Sequence, residues 1–136
     1  NVTDITAIAK ACEEGGADGI SLINTLLGMR IDLKKRKPLL ANTTGGLSGP
    51  AVFPVAVRMV YQVCGAVKVP VVGLGGISTW QDAAAFLMAG ATAVQVGAAN
   101  LVDPYASFAI VNNLPDVMNK YGIKNLNDIK GCAHNG

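Results

Sequence analysis

Charged residues, histidine and cysteine are all scarce in this sequence of 136 residues. Only 15% of the residues are charged and 51% are apolar, whereas disorder requires high charge and low hydrophobicity, so an intrinsically disordered chain is excluded. The formal net charge of +2 is too small for nucleic acid or an anionic membrane to be the main partner. One histidine and three widely spaced cysteines provide no zinc-type ligand set. We therefore predict a single domain without a metal, in a reducing compartment such as the cytoplasm.

Residues 83–102 carry no formal charge and would be long enough, at about 20 residues, to span a bilayer. Glycine and polar residues interrupt this run, which favours a helix, a glycine turn and a buried strand over a membrane span. No basic and apolar signal sequence opens the chain. The first residue is Asn1, which stands directly before a predicted helix, and we therefore expect a processed product or a fragment of a longer protein.

Helical and strand patterns alternate along the chain. Apolar spacing and capping residues predict helices over residues 4–14, from Pro50 or Pro54 onward, from the Thr79 cap to Met88, and from Asp103-Pro104 onward with an interruption at Pro115, followed by a short one over 126–130. Apolar runs predict strands over residues 20–24, 69–74 and 93–96. Three strands that alternate with helices indicate a parallel α/β fold.

Residues 31–47 are an insertion between the first strand and the second helix, rich in basic and turn residues. The run Lys34-Lys35-Arg36-Lys37 has the composition of a nucleic-acid or targeting patch. With a net charge of only +2, we interpret it instead as the solvated tip of a hairpin.

Small residues follow two consecutive predicted strands. Gly75 and Gly76 come after the second strand, and Gly97 and Ala98 come after the third. Backbone N–H groups at such strand ends can approach an anion closely. Glycines also make tight turns, but the pair of turns favours a phosphate site. We expect a side chain at Gly76 to block that site and Ala98→Thr to be tolerated.

Asn24 ends the first predicted strand and Thr25 follows it. The amide of Asn24 suits a ligand edge that carries a carbonyl beside an N–H, although a turn-capping asparagine is the alternative. The loop of residues 43–50 is built mostly of small residues, so it could pass close to a flat cofactor or be a plain surface loop. No general acid or base is convincing, because Cys12 and Cys64 are predicted to be small core residues.

Five segments resemble the dihydroorotate dehydrogenase family, in order and at the family's spacing. They are Asn1-Val2-Thr3-Asp4-Ile5, Ser21-Leu22-Ile23-Asn24-Thr25, Gly45-Gly46-Leu47-Ser48-Gly49-Pro50, Gly73-Leu74-Gly75-Gly76-Ile77-Ser78 and Val94-Gln95-Val96-Gly97. The run from Leu26 to Leu33 is similar to class 1B, the catalytic subunits that pass electrons to NAD+. The resemblance implies that residues 1–136 are the C-terminal half of an FMN-binding (β/α)8 barrel, with about three of its eight strands.

The resemblance also implies an activity, the oxidation of dihydroorotate to orotate in pyrimidine biosynthesis. Hydride would pass to FMN and on to NAD+ through a partner subunit with FAD and a 2Fe-2S cluster, in a heterotetramer built on a homodimer. The residues that match the family's FMN contacts are Ile23, Gly49, Gly75, Gly76, Gly97 and Ala98, and those that match its pyrimidine contacts are Asn24 and Thr25. The family's catalytic cysteine and a flavin-contacting lysine lie upstream, so no residue here is predicted to be catalytic.

One departure and two alternatives accompany this resemblance. The family usually has threonine where this chain has Ala98, so one hydroxyl contact to the phosphate would be lost while the backbone donors remain. The flavin domain of dihydropyrimidine dehydrogenase shares similar motifs. A non-catalytic half-barrel that binds a phosphate ligand is the other alternative.

Overall fold

Strands and helices alternate in the computed structural model, which describes residues 1–135. The helices are α1 (Ile5–Glu14), α2 (Phe53–Cys64), α3 (Trp80–Met88), α4 (Ala98–Val102) and α5 (Ala106–Tyr121). The strands are β1 (Ile20–Leu22), β2 (Leu26–Met29), β3 (Ile31–Asp32), β4 (Lys37–Pro38), β5 (Thr44–Leu47), β6 (Val71–Leu74) and β7 (Ala93–Gln95). Short 3-10 helices cover Pro50–Val52, Leu126–Asp128 and Cys132–Asn135.

The central sheet has three parallel strands in the order β1-β6-β7, which confirms the predicted parallel α/β architecture. Leu22 pairs with Gly73, and Gly73 in turn pairs with Val94. Strand β6 therefore has a neighbour on each side. The sequence predicts that the strands of residues 20–24 and 69–74 both lack a neighbour on at least one side of the three-strand set. This is confirmed for β1 and wrong for β6, because the second open edge belongs to β7.

Helix α2 contributes four buried side chains to the core, those of Ala56, Met59, Val60 and Val63. Val60 and Val63 of this helix are fully buried, as is Phe86 of α3. Phe86 meets Phe53 edge to face, with ring centroids 5.8 Å apart. A Cβ at position 73 would overlap the ring of Phe86, so glycine in β6 makes room for the largest core side chain. The core thus lies between the sheet and its covering helices, as in other α/β folds.

Two of the predicted helix starts are confirmed by their caps. The Asp4 carboxylate accepts hydrogen bonds from the backbone N–H groups of Thr6 and Ala7 and opens α1. Thr79 opens α3 in a capping box with Asp82, as predicted from the spacing of the two residues. Helix α2 begins at Phe53 after a 3-10 turn that contains Pro50.

Helix α5 differs from the prediction at two points, its start near Pro104 and its course through Pro115. It starts at Ala106 rather than at Asp103-Pro104, although the Asp103 carboxylate accepts a hydrogen bond from the N–H of Tyr105 just before it. It also continues through Pro115, where an interruption was expected. Proline removes the donor to the carbonyl four residues earlier, and this residue is Val111, which is 65% exposed. Water can replace the missing donor there, so the helix persists.

The insertion forms antiparallel pairs of strands, and strand β2, just before it, contributes to one of them. Strand β2 pairs with β5, and β3 pairs with β4 farther from the sheet. The basic run lies at the exposed tip, where the Asp32 carboxylate accepts hydrogen bonds from the backbone N–H groups of Lys34 and Lys35. The solvated hairpin tip is confirmed. The idea that residues 44–47 are a flexible loop is wrong, because they are strand β5.

The segment after α5 packs back onto the end of α3. The N–H of Gly131 donates to the carbonyl of Leu87 over 2.9 Å, and the His134 Nε2 lies 3.0 Å from the carbonyl oxygen of Ala89. The His134 ring stacks on Tyr61 at 4.0 Å. The last carbonyls of a helix lack partners within the helix, and this segment contacts two carbonyls at the end of α3, of which that of Leu87 also accepts from the N–H of Gly90.

The cysteines are less buried than the sequence indicated. Cys12 is exposed, which corrects its interpretation as a core residue, whereas Cys64 is half-buried and packs against the core. Burial raises the pKa of the Cys64 thiol, and Lys130 opposes that change. Cys64 is therefore a neutral thiol at pH 7. Among residues 1–135, no helix is both long enough and apolar enough to cross a bilayer.

Candidate functional site

A cavity of about 630 Å³ opens beside the carboxyl ends of β6 and β7. One wall is the turn after β6 and the start of α3, and the opposite wall is α4 with the first part of α5. Ser48, Gly49 and Pro50 close it from the side of α2. This is the end of a parallel sheet at which α/β folds bind their ligands.

Three of the six residues predicted to contact a flavin line this cavity directly. They are Gly49, Gly76 and Ala98, which come from three separate turns. Gly76 has φ of 76°, and a Cβ there would lie 2.8 Å from the carbonyl oxygen of Gly49 and 2.9 Å from the backbone nitrogen of Phe53. The tight packing of these turns requires glycine at position 76 even without a ligand.

The other three lie around the cavity rather than on its wall. Ile23 is buried, and an added Cβ at Gly75 would lie 3.5 Å from its side chain and 2.6 Å from that of Ala56. Gly97 is exposed, and a Cβ there would meet no atom within 4 Å. Of the glycines in the two turns, Gly97 is thus the one whose missing side chain is not explained by protein packing.

Asn24 and Thr25 are exposed and do not line the cavity; they follow β1, on the other side of β6. The Asn24 Oδ1 accepts a hydrogen bond of 2.8 Å from the backbone N–H of Thr25. Since a backbone N–H only donates, this contact assigns the oxygen of the amide. The nitrogen Nδ2 is then the end of Asn24 that a ligand carbonyl can reach. Residues 23 and 24 lie outside β1, which ends two residues before the predicted limit.

Polar groups at the start of α3 are already paired with one another. The Asp82 carboxylate accepts hydrogen bonds from the backbone and hydroxyl groups of Ser78 and Thr79, at 2.8–3.2 Å. Partial burial acts to raise the pKa of Asp82, but these four bonds outweigh burial and lower it below the ordinary value of 3.8. Asp82 is therefore ionised at neutral pH and holds the turn of Gly76 in place.

Helix α4 is the part of the site that sequence reasoning missed. Gly97 to Asn100 were interpreted as a turn of small residues, whereas α4 begins at Ala98. Asn100 anchors this helix: its Nδ2 donates to the carbonyl of Val96 over 2.9 Å, and its Oδ1 accepts from the hydroxyl of Ser107 over 3.0 Å. The polar Asn100, in a run of otherwise apolar residues, is the one signal in the sequence that indicates this anchored helix.

The cavity walls farther from the turns are mostly apolar. Apart from the turn residues, the cavity is lined by Trp80, Gln81, Val102, Asp103, Ala106, Ala109, Ile110 and Asn113, which the sequence motifs do not predict. Among residues 1–135, no three His, Cys, Asp or Glu side chains gather as a metal site would require. The arrangement suits a ligand with an anionic end at the turns and an apolar body.

Comparisons with known proteins agree with this fold. Over 131 residues the chain is 59% identical to the protein named dihydroorotate dehydrogenase B (NAD(+)), catalytic subunit, of Alkaliphilus metalliredigens, and the match covers 96% of this chain and 43% of that protein. It is 57% identical to the protein of the same name from Lachnoclostridium phytofermentans, over 98% of this chain and 44% of that one. The chain thus spans less than half the length of these relatives.

A solved structure has the same fold. The dihydroorotate dehydrogenase of Eimeria tenella, solved in complex with ferulenol, superposes with a TM-score of 0.78 at 27% identity, over 97% of this chain and 35% of that one. Three parallel strands with their helices are accordingly part of a (β/α)8 barrel. Residues 1–118 match the family model described as dihydroorotate dehydrogenase. The chain belongs to the dihydroorotate dehydrogenase family.

Proposed function

We propose that residues 1–136 are the C-terminal half of an FMN-dependent catalytic subunit that oxidises dihydroorotate to orotate in the cytoplasm, in pyrimidine biosynthesis. The observation that carries the proposal is the cavity of about 630 Å³ at two consecutive strand ends, which both Gly76 and Ala98 line. The proposal is further supported by the relatives, which are named as catalytic subunits of this enzyme.

The cavity fits the phosphate end of FMN. Gly97 carries no side chain although the protein leaves room for one, which is the pattern expected where a ligand approaches the backbone. The backbone N–H groups of Gly76, Gly97 and Ala98 would bind the phosphate, as short turns and a helix start do in other barrels. Ile23, Gly49 and Gly75 would contact the rest of the cofactor. When bound, FMN supplies the hydride acceptor of the reaction.

Asn24 and Thr25 would bind the pyrimidine. With its Oδ1 held by the N–H of Thr25, Asn24 directs its Nδ2 outward, so it would donate to a ring carbonyl of dihydroorotate. The Thr25 hydroxyl also donates to Asn24 Oδ1, over 3.4 Å, so Nδ2 is the group of this amide that is left to bind the ring. In this way the pair fixes the orientation of the substrate ring.

Electrons would leave through a second protein. The relatives' name specifies NAD+ and a catalytic subunit, and we propose that a partner subunit with FAD and a 2Fe-2S cluster links the flavin to NAD+. The same proposal places two copies of the catalytic subunit in a heterotetramer.

The test uses the full-length protein purified with its flavin. Anaerobic dihydroorotate should bleach the flavin absorbance and yield one orotate per flavin. A bound flavin that dihydroorotate leaves oxidised would refute the substrate assignment, and a protein that purifies without FMN and does not bind added FMN would refute the cofactor site. Uracil with NADPH serves as the control, since its turnover would assign the protein to dihydropyrimidine dehydrogenases instead.

A further inference from the structure

The side chain of Asn1 makes two hydrogen bonds to the backbone of a distant segment. Its Nδ2 donates to the carbonyl of Thr25 over 2.8 Å, and its Oδ1 accepts from the N–H of Leu27 over 3.2 Å. A carbonyl and an N–H two residues apart are the groups that a neighbouring strand would use. The amide of Asn1 therefore takes the place of a strand neighbour at the start of β2.

This segment is the one that carries the proposed pyrimidine contacts. The N–H of Thr25 donates to Asn24 Oδ1, and the carbonyl of Thr25 accepts from Asn1. Both peptide groups of Thr25 are thus held by asparagine side chains. The Thr25 side chain packs so closely against Gly46 of β5 that a Cβ there would overlap it. The contacts with Asn1 and Gly46 thus restrict the position of Thr25, and the N–H of Thr25 in turn holds the Asn24 amide.

We propose that Asn1 is a positioning residue for the pyrimidine site, acting through Thr25 on the amide of Asn24. The inference rests on the proposed function, because it requires that Asn24 binds the substrate. Asn1 itself is exposed and its amide is occupied by the backbone, so it orders the binding segment without taking part in the chemistry.

Loss of the Asn1 amide should weaken substrate binding and leave the flavin in place. In the full-length enzyme, Asn1→Ala should raise KM for dihydroorotate roughly three- to tenfold, as expected for the loss of one or two neutral hydrogen bonds. The kcat and the FMN content should change little, since a loss of uniform binding appears in KM. Asn1→Gln, which retains the amide on a longer side chain, should recover part of the affinity.

Thr3→Ala is the matched control, because Thr3 is exposed on the same turn and its side chain makes no hydrogen bond within residues 1–135. It should leave KM unchanged. The double variant Asn1→Ala/Asn24→Ala distinguishes positioning from general stability. If Asn1 acts through Asn24, the double variant should cost clearly less than the product of the two single effects.

The outcomes separate this inference from the proposed function. If Asn24→Ala raises KM but Asn1→Ala does not, or if the two effects multiply, the role of Asn1 is refuted and the substrate site stands. If Asn24→Ala leaves KM unchanged, the substrate site fails and the role of Asn1 fails with it. A fall in thermal midpoint in Asn1→Ala with unchanged KM would make Asn1 structural only.

Discussion

Gly76 and Gly97 follow neighbouring strands, yet their surroundings differ in a way that the sequence does not reveal. A side chain at Gly76 would collide with the backbone at Gly49 and Phe53, so a large residue there would disturb the turn with or without a ligand. Loss of flavin in Gly76→Val would therefore not distinguish a blocked phosphate site from a disturbed turn. A side chain at Gly97 would meet only open space, which makes Gly97 the position that reports on the ligand.

We expect Gly97→Val in the full-length enzyme to lose flavin while the protein remains folded. Its side chain would occupy the approach of the FMN phosphate, and hydrogen bonds to a charged group contribute about 1.5–3 kcal/mol each, so the affinity should fall about ten- to 150-fold per bond lost. Flavin content and titration of the apoprotein measure this. Gly28→Ala, in β2 and away from the cavity, is the control. Unchanged FMN affinity in Gly97→Val would show that the phosphate does not bind at this turn.

Ala98→Thr should be tolerated or should strengthen flavin binding. Residue 98 lines the cavity, and a hydroxyl there adds a donor without changing the backbone that would hold the phosphate. The measurement is the dissociation constant of FMN for the apoprotein, beside Ala98→Val, which has a similar shape but no hydroxyl. Weaker binding in Ala98→Thr than in Ala98→Val would contradict the proposed contact.

Asn24→Ala should have the opposite pattern, with flavin retained and substrate affinity lost. The donor Nδ2 disappears, and a buried polar group of the substrate left unpaired costs roughly 1–3 kcal/mol, or about five- to 150-fold in the step affected. Steady-state kinetics and flavin content on one preparation separate the two ends of the site. Loss of flavin in Asn24→Ala together with full occupancy in Gly97→Val would mean that the two ends are exchanged.

At the level of the elements, the sequence predicts those features that depend on interactions between residues close to each other in the chain. The capping box of Thr79 and Asp82 and the cap at Asp4 are visible in the sequence because each involves residues within four positions. Helix α5 was misjudged because whether Pro115 interrupts it depends on water reaching the carbonyl of Val111, which is a tertiary property. The sequence predicts a hairpin tip here but not the strands β2 and β5, because the glycines at 28, 45 and 46 weaken the alternation of apolar residues that marks a strand.

The cap of α3 should contribute to stability in a pH-dependent way. Asp82→Ala removes the acceptor for Ser78 and Thr79, and loss of a helix cap costs about 0.5–2 kcal/mol. Because the folded protein lowers the pKa of Asp82, its contribution is complete above the unfolded value of 3.8 and is lost as pH falls through the lower folded value. The thermal midpoints of Asp82→Ala and the parent should differ at pH 7 and converge below pH 3.8.

Gln81→Ala, an exposed change on the same first turn of α3, should leave the midpoint within error at both pH values. A difference between Asp82→Ala and the parent that stays constant at acidic pH would show that the charge of Asp82 is not what stabilises the turn.

At the level of the whole molecule, what the sequence could not provide is the pairing of its strands. Three strands and their helices follow from periodicity, but the order β1-β6-β7 requires long-range contacts, and the prediction misplaced one of the two open edges. The sequence does predict that both glycine turns lie at the same end of the sheet, because the carboxyl ends of parallel strands all lie there. The sequence does not predict the cavity between α3 and α5, because residues of α4 line it and the sequence pattern does not indicate that helix.

The open edges of β1 and β7 govern how the 136-residue chain should behave by itself. Edge strands present unpaired N–H and C=O groups that pair with other chains, and Leu101 and Val102 of α4 are 90% and 89% exposed. We therefore expect the isolated chain to associate or aggregate, as measured by analytical ultracentrifugation.

The isolated chain should also lack dihydroorotate dehydrogenase activity with added FMN, because it spans less than half the length of its relatives. The loss of general acid–base assistance alone would lower the rate about 10² to 10⁴-fold. A full-length preparation is the positive control. A monodisperse monomer that melts cooperatively would contradict the first expectation, and turnover by the isolated chain at a rate near that of the full-length enzyme would contradict the second.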